Sequence, residues 1–365
     1  MGTARNGSRV ALAAVVAALV LAACGTILPT ADESPASVMP VTSAPVEGSA
    51  AASALPTPHP FAGEGDWIAY QTNRSGADGI WFIHPDGTED HEVALDVPGE
   101  HRHPDWFPDG TELLLTSRTE TATTLYVIDL ETNGARVPWR CSGTCHGDDE
   151  GAWSPDGSQI AFVRAMEPVS DGVPSCALMI GDRASGDVEQ VGPTRSCNDR
   201  ETFPRWSDDG SKIVYYRAAF EGETPIASAV YVFDVATADE TKVTDDALFG
   251  GDADWAGDEW IVFSTYPLRD YPCCEVSNLY RIRLDGTGLE QLTHHETEEV
   301  RATQPRVTPD GLDILYTSVT ADHRVPALMP VFGGEPIEVV QSGTYTHPVR
   351  QPGECPDDVG CGTFP

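Results

Sequence analysis

Trp153-Ser-Pro-Asp-Gly-Ser-Gln-Ile-Ala-Phe-Val163 is the stretch on which the reading of the whole chain turns. A large aromatic leads into a turn in which Pro presets φ and Gly permits φ > 0. The turn then feeds a run of β-branched and aromatic residues suited to a buried strand. The same order recurs at Trp106-Phe-Pro-Asp-Gly110 and Trp206-Ser-Asp-Asp-Gly210, more loosely at Trp255-Ala-Gly-Asp258 and Val307-Thr-Pro-Asp-Gly311, and fades at Arg350-Gln-Pro-Gly353. Successive copies lie from the low forties to the low fifties of residues apart. That is the size of one four-stranded propeller blade, about 40–50 residues.

Each copy continues in the same way. After the turn come Leu113-Leu-Leu-Thr, Ile160-Ala-Phe-Val, Ile213-Val-Tyr-Tyr, Ile261-Val-Phe-Ser and Ile314-Leu-Tyr-Thr, and an isolated Trp67-Ile-Ala-Tyr70 has no turn before it. A further strand follows in each, as in Ile80-Trp-Phe-Ile, Leu125-Tyr-Val-Ile and Leu279-Tyr-Arg-Ile, and a weak fourth closes the copy, as in Glu290-Gln-Leu-Thr293. No stretch shows a strong period of 3.6 residues. The first copy lacks its opening strand and the last ends in an orphan opener, Thr346-His-Pro-Val-Arg350. An unpaired sheet edge is a liability, so the tail is expected to pair with the head. The expectation is an all-β, six-bladed β-propeller over 63–353, closed by pairing of the C-terminal strand with the first blade.

The motif Pro-x-Trp-Ser-Pro-Asp-Gly, a β run, then Leu-Tyr-x-Ile-x-x-Asp-Gly and a later Leu-Thr resembles the repeat of the TolB-type (PD40, WD40-like) propellers, most clearly at 104–157 and 279–311. The resemblance implies the fold and leaves the activity open, because function lives in sites grafted on folds. TolB carries an α/β domain before its propeller, and the segment before residue 63 is too short for one. No Gly-x-Ser-x-Gly elbow is present, so the prolyl-oligopeptidase form of the architecture is not expected.

Of 365 residues, 57 are Asp or Glu and 22 Lys or Arg, for a formal charge of −35. A nucleic-acid partner is excluded, since nothing could neutralise a run of phosphates. Arg5 and Arg9 precede an apolar run from Val10 to Ala23 that suits the core of a secretory signal and is short for a membrane span. Leu21-Ala-Ala-Cys24-Gly25 resembles the lipobox of bacterial lipoproteins, which implies a signal peptide at 1–23 and diacylglycerol on Cys24, with palmitate or a related chain on the freed amine. Two or three chains hold a protein stably at a membrane. Loss of two arginines and no acid would leave the mature chain at about −37. The lipid, and not the acidic domain face, would then make the contact on the extracytoplasmic side. Residues 24–62 are rich in Pro, Ala, Ser and Thr and read as a disordered tether. Residues 354–365 read as a Cys-containing tail.

Eight further cysteines, Cys141, Cys145, Cys176, Cys197, Cys273, Cys274, Cys355 and Cys361, form an even set, which in an exported protein reads as disulfides. Proximity favours Cys141–Cys145, Cys176–Cys197 and Cys355–Cys361, with Cys273 and Cys274 as the remainder. Cys141, Cys145 and His146 are also metal-ligand types, although zinc sites usually need two such pairs.

Three places before the Trp-equivalent position stand His103, Glu150, Phe203, Asp252, Gln304 and His347. One column of a propeller repeat converges on one axis, and two imidazoles, two carboxylates and an amide suit a divalent cation such as Mn²⁺, Zn²⁺ or Ca²⁺. His101, Arg102, Asp149, Arg200, Glu201, Asp254 and Arg301 would complete a mixed-charge channel mouth. The His/Gln part is similar to the metal set of oligogalacturonate lyases, which share the repeat type. That resemblance implies a metal on the uronate carboxylate and an Arg taking the α-proton. The Trp residues at 106, 153, 206 and 255 are expected in the core between blades. Three readings follow: a non-enzymatic, membrane-tethered module binding an envelope protein, peptide or glycan; a metal-assisted carbohydrate-active enzyme using His103, Gln304 and His347; and an envelope sensor ectodomain.

Overall fold

The computed structural model describes residues 66–352, apart from 171, 222–223, 266–275, 298–299 and 341–342. The expectations for 1–62, Cys24, Cys273, Cys274, Cys355, Cys361 and the tail lie outside these residues. Apart from one short 3-10 turn at Asp246–Leu248, the regular structure described is all strand. No helix among the described residues is long and apolar enough to cross a membrane.

The strands form antiparallel four-strand units in chain order. The first contains Ile68–Thr72, Gly79–Ile83 and His91–Glu92, with Thr346–Arg350 added beside Ile68–Thr72. There Ile68 lies opposite Arg350 and Ala69 opposite Val349. The second unit runs from Glu100–Trp106 to Gly134–Arg136, and the third from Cys145–Trp153 to Val188–Gln190. The fourth unit opens at Asp199–Trp206, the fifth at Gly250–Ala256 and the sixth at Arg301–Val307. The arrangement is that of a propeller.

Two differences from the expected four-to-six-residue strands have physical causes. Cys145–Trp153 is nine residues long, and its early part reaches Thr123 of the second unit through one parallel pair, Thr123 with Gly147. That contact fuses the second and third units into one nine-stranded sheet. The hairpins Gln159–Ser170/Val173–Asp182 and Lys212–Glu221/Thr224–Asp234 also extend well beyond their apolar cores. Near the first of them, Arg195–Ser196 pairs beside Cys176 and the Cys176–Cys197 disulfide fixes the flap.

The core lies between units rather than within them. Trp106, Leu113 and Leu115 of the second unit pack on Ile80, Phe82 and Val349 of the first. Trp153 and Phe162 pack on Leu114 and Leu125, Trp206 and Tyr215 on Ala152 and Leu178, and Trp255 and Phe263 on Val214 and Val230. Ile314 and Tyr316 cover Val262 and Leu279, and Leu315 and Leu328 of the sixth unit pack on Ile68, Tyr70 and Tyr345 of the first. All four tryptophans are at most 8% exposed, which places them in the inter-unit core as expected. Three of them donate their indole N–H to the unit before: Trp106 to Val349 O, Trp206 to Ala152 O and Trp255 to Arg205 O.

Candidate functional site

Every inner strand slips register by one residue at the same point, between Thr346 and Val349, Arg102 and Asp105, Asp149 and Ala152, Thr202 and Arg205, Gly250 and Ala253, and Thr303 and Arg306. A bulge re-aims the side chain it carries. In five of these strands the bulged residue is non-glycine with φ between 51° and 57°: His103, Glu150, Phe203, Gln304 and His347. Left-handed backbone at such residues persists only where surrounding contacts over-determine it.

Hydrogen bonds between units supply that support. Glu150 Oε2 accepts from the Phe203 N–H at 3.0 Å, and Gln304 Oε1 accepts from the His347 N–H at 3.0 Å and from Thr317 Oγ1 at 2.9 Å. Gln71 Oε1 stands in the same relation to the His103 N–H at 3.4 Å. The side chains also meet across the axis. The His103 ring centroid is 4.9 Å from that of Phe203 and 4.8 Å from that of His347, and Phe203 is 5.3 Å from His347. These three residues belong to the second, fourth and first units, so the aligned column does converge.

Electrostatics follow from the packing. Burial alone would raise the Asp149 carboxyl, but adjacent His103, at 3.1 Å, and hydrogen bonds from His103, Thr116 and the Glu150 N–H hold it below the usual carboxylate range. Burial, reinforced by His103 and by Arg306 and Arg205, pushes His347 well below the ordinary imidazole value, so it is neutral at pH 7. Its ring accepts or donates a contact with Gln304 Nε2 at 2.9 Å. Burial raises Asp252 against the pull of Arg306, His103 and Arg205, and its Oδ1 is buried with no hydrogen-bond partner among the described residues.

One layer deeper, the residue just before the Trp-equivalent position brings Asp105, Arg205, Asp254 and Arg306 together. Asp105 accepts from the Trp153 N–H at 2.9 Å and pairs with Arg205 at 3.1 Å, and Asp254 accepts from the Val307 N–H at 2.9 Å. Burial and neighbouring Arg205 lower Arg306 to about 10, against the attraction of Asp254, Asp252 and Asp105. The sequence reading had only Asp254 of these. The signal was available: that column reads Asp105, Ala152, Arg205, Asp254, Arg306, Val349, with both signs of charge at one aligned position.

Other expected mouth residues are placed as follows. His101 Nε2 contacts Val97 O at 2.9 Å, and Arg102 pairs with Asp78 and Glu100, each at 2.7 Å. Glu201 does not join the mouth: it is fully buried and bound to Arg217 of its own unit at 3.5 Å and to Arg195 of the third unit's flap at 2.9 Å. Arg301 begins the sixth unit's inner strand, and the side chain of Arg200 lies outside the described set. Cys141–Cys145 and Cys176–Cys197 are disulfides.

For a cation, the axial column does not bring its ligands close enough as it stands. Among the described residues, the one set of three His, Cys, Asp or Glu ligand atoms within 4.8 Å of one another is Cys141, Cys145 and Asp148, and its two sulfurs are bonded to each other. On the axis, the Phe203 ring sits against both imidazoles, and Glu150 and Gln304 are spent on backbone N–H groups.

No protein-family model and no curated protein matches the chain. Solved structures do. TolB from Acinetobacter baumannii is similar at 18% identity and a TM-score of 0.60, over 80% of this chain and 68% of that one. A putative TolB from Agrobacterium tumefaciens is similar at 20% identity and a TM-score of 0.53, over 75% and 88%. Hydrazine synthase from Kuenenia stuttgartiensis matches at 13% identity and a TM-score of 0.59, over 80% of this chain and 47% of that one. The chain therefore has the TolB-type β-propeller fold.

Proposed function

We propose that this chain is a lipid-anchored, extracytoplasmic six-bladed propeller that works as a binding module for an envelope protein, peptide or glycan. The six units are its blades, with the nine-stranded sheet counted as two, and Thr346–Arg350 closes the ring on the first. Residues 1–23 are the signal peptide, Cys24 carries the lipid, 24–62 are the tether, 63–353 the propeller and 354–365 the tail.

The observation that carries the reading is the left-handed column. Five non-glycine residues hold a sparsely populated backbone, and the result is a preformed floor of His103, Phe203 and His347 rings bordered by Asp149 and Gln304. Such preorganisation removes ordering cost from binding. It does less for a metal-assisted reaction, because the imidazoles are packed on Phe203. TolB structures being the similar folds adds to the binding reading only by analogy.

The mature chain, with photo-activatable cross-linker replacing Asp149, should capture a discrete envelope component, and His103→Ala/Phe203→Ala should lose it. Equal capture by the intact and double-variant chains overturns the reading. Cys24→Ala should move the protein from the membrane fraction to the soluble one. An unchanged membrane fraction overturns the anchor.

A further inference from the structure

A chain with 57 acidic and 22 basic residues has few cations to gather, so a pocket built around them is informative. One pocket of about 350 Å³ is lined by Arg301, Thr320, Asp322, His323, Arg324 and Thr344, with backbone of the same turn completing it. It lies at the start of two inner strands. Arg301 begins the strand that carries Gln304, and Thr344 precedes the strand that carries His347. It therefore stands beside the axial floor already described.

The pocket wall is fixed by backbone. The Arg324 N–H donates to Gly343 O at 2.8 Å, the Arg324 carbonyl accepts from the Tyr345 N–H at 2.8 Å, and Thr344 Oγ1 contacts Thr72 Oγ1 at 3.1 Å. Arg324 itself is exposed, and no ion pair engages it among the described residues. Arg301, already engaged in a contact of its own, adds its charge. Among the described residues, the acids nearby are Asp322 on the rim and Glu338, whose carboxylate is 3.6 Å from His323 Nε2. Asp322 is thus the one carboxylate among the described lining residues, against the guanidinium of Arg324.

One more cation stands further along the strand, outside the pocket lining. Arg306 lies on the same strand as Arg301 and is 6% exposed. Its guanidinium hydrogen-bonds the carbonyl of its own neighbour, Pro305, at 2.8 Å, and among the described residues no carboxylate approaches it within ion-pair distance. A guanidinium donates strongly to an oxyanion that reaches it, but Arg306 lines no part of the pocket and adds only its charge to the strand.

We propose that this rim pocket of the sixth unit binds an oxyanion, a carboxylate or a phosphoryl group carried by the ligand, through Arg324, Arg301 and the hydroxyls of Thr320 and Thr344. The inference rests on the binding-module reading and names the chemistry of its ligand. It also explains how a strongly acidic protein holds an anionic ligand: the field is locally reversed at the point of contact.

The test is calorimetric titration of the full mature chain with inorganic phosphate and, separately, with a hexaglutamate peptide. Arg324→Gln and Arg324→Glu are the variants, and Arg140→Gln, an exposed arginine on the third unit's approach, is the control. Saturable binding of either probe is expected, weakened about tenfold or more by Arg324→Gln and unchanged by the control. Phosphate alone assigns a phosphoryl source, and hexaglutamate alone a carboxylate source. No saturable binding of either probe up to about 10 mM, or equal affinity in the Arg324 variants, overturns the proposal. Capture of an envelope component that survives Arg324→Glu unweakened overturns the oxyanion assignment and leaves the binding-module reading standing.

Discussion

Gly157 and His347 show how much one position can carry. Gly157 has φ +68°, and a Cβ there would lie 2.3 Å from the Phe107 ring, which packs edge-on against Trp153. Gly157→Ala should therefore cost about 1–3 kcal/mol, read as a lower Tm, by combining turn strain with a clash at a unit boundary. His347 is half-buried and neutral when folded and takes up a proton near pH 6.5 when unfolded. Its contribution is whole above that value and declines as pH falls below it, by at most about 1.4 kcal/mol per pH unit. His347→Gln, a residue type that already adopts this φ at Gln304, should flatten the fall in Tm between pH 7 and 5. An equally steep profile in the variant would show that other groups set the pH response. The axial column was readable because Trp and Pro-Asp-Gly give an alignment frame. Asp105, Arg205 and Arg306 were missed because their strands are charged and polar along most of their length, so one more charge does not stand out until neighbouring units are brought to one axis. Arg324 and Thr320 sit in a hairpin turn shared with the copy at Thr119–Thr123, where Thr123 stands in place of Arg324, so alignment marks the turn and not the charge.

At the scale of elements, strands of Ile, Val, Phe and Tyr between Gly/Asp turns were legible, as was the orphan opener at 346–350. Their ends were not. Met166-Glu-Pro-Val-Ser170 contains Pro168 and reads as a loop, yet the hairpin continues past it, with pairing lapsing between Met166 and Ser170. The two disulfides close loops of very different length, with sequence separations of 4 and 21. On a chain-entropy basis, Cys176→Ala/Cys197→Ala should cost about 3 kcal/mol and Cys141→Ala/Cys145→Ala about 2 kcal/mol. Denaturant melts would separate them, and the reverse order would mean that the shorter bridge carries native-state strain relief or the longer one strain. Val349 is 6% exposed in the cluster that joins the first two units. Val349→Asp buries a carboxylate there and should cost at least about 3 kcal/mol, seen as a lower midpoint in urea. A midpoint within error of the parent would mean that the last strand does not hold the first unit.

Across the whole molecule, a formal charge of −35 sets a field that each unit shares. Turn aspartates such as Asp209, held at about 2 by hydrogen bonds from the Ser211 N–H and from Ser207, stay ionised far into acid and keep that field in place. Self-repulsion of this size destabilises the compact state and is screened by salt. Tm should rise between about 10 and 200 mM NaCl, and a flat or falling curve would show that ion pairs such as Arg350–Asp66 and Arg74–Asp90 outweigh the repulsion. The partnership of Ile68 with Arg350 has a further effect on the order of events in making the protein. A chain emerging from the ribosome amino end first can complete its middle sheets early, but its first sheet waits for Thr346–Arg350, which follows every other described strand in the chain. A product ended before residue 346 leaves the edge beside Ile68 bare, so the strand made first stays open to pairing with another chain for as long as its partner is missing.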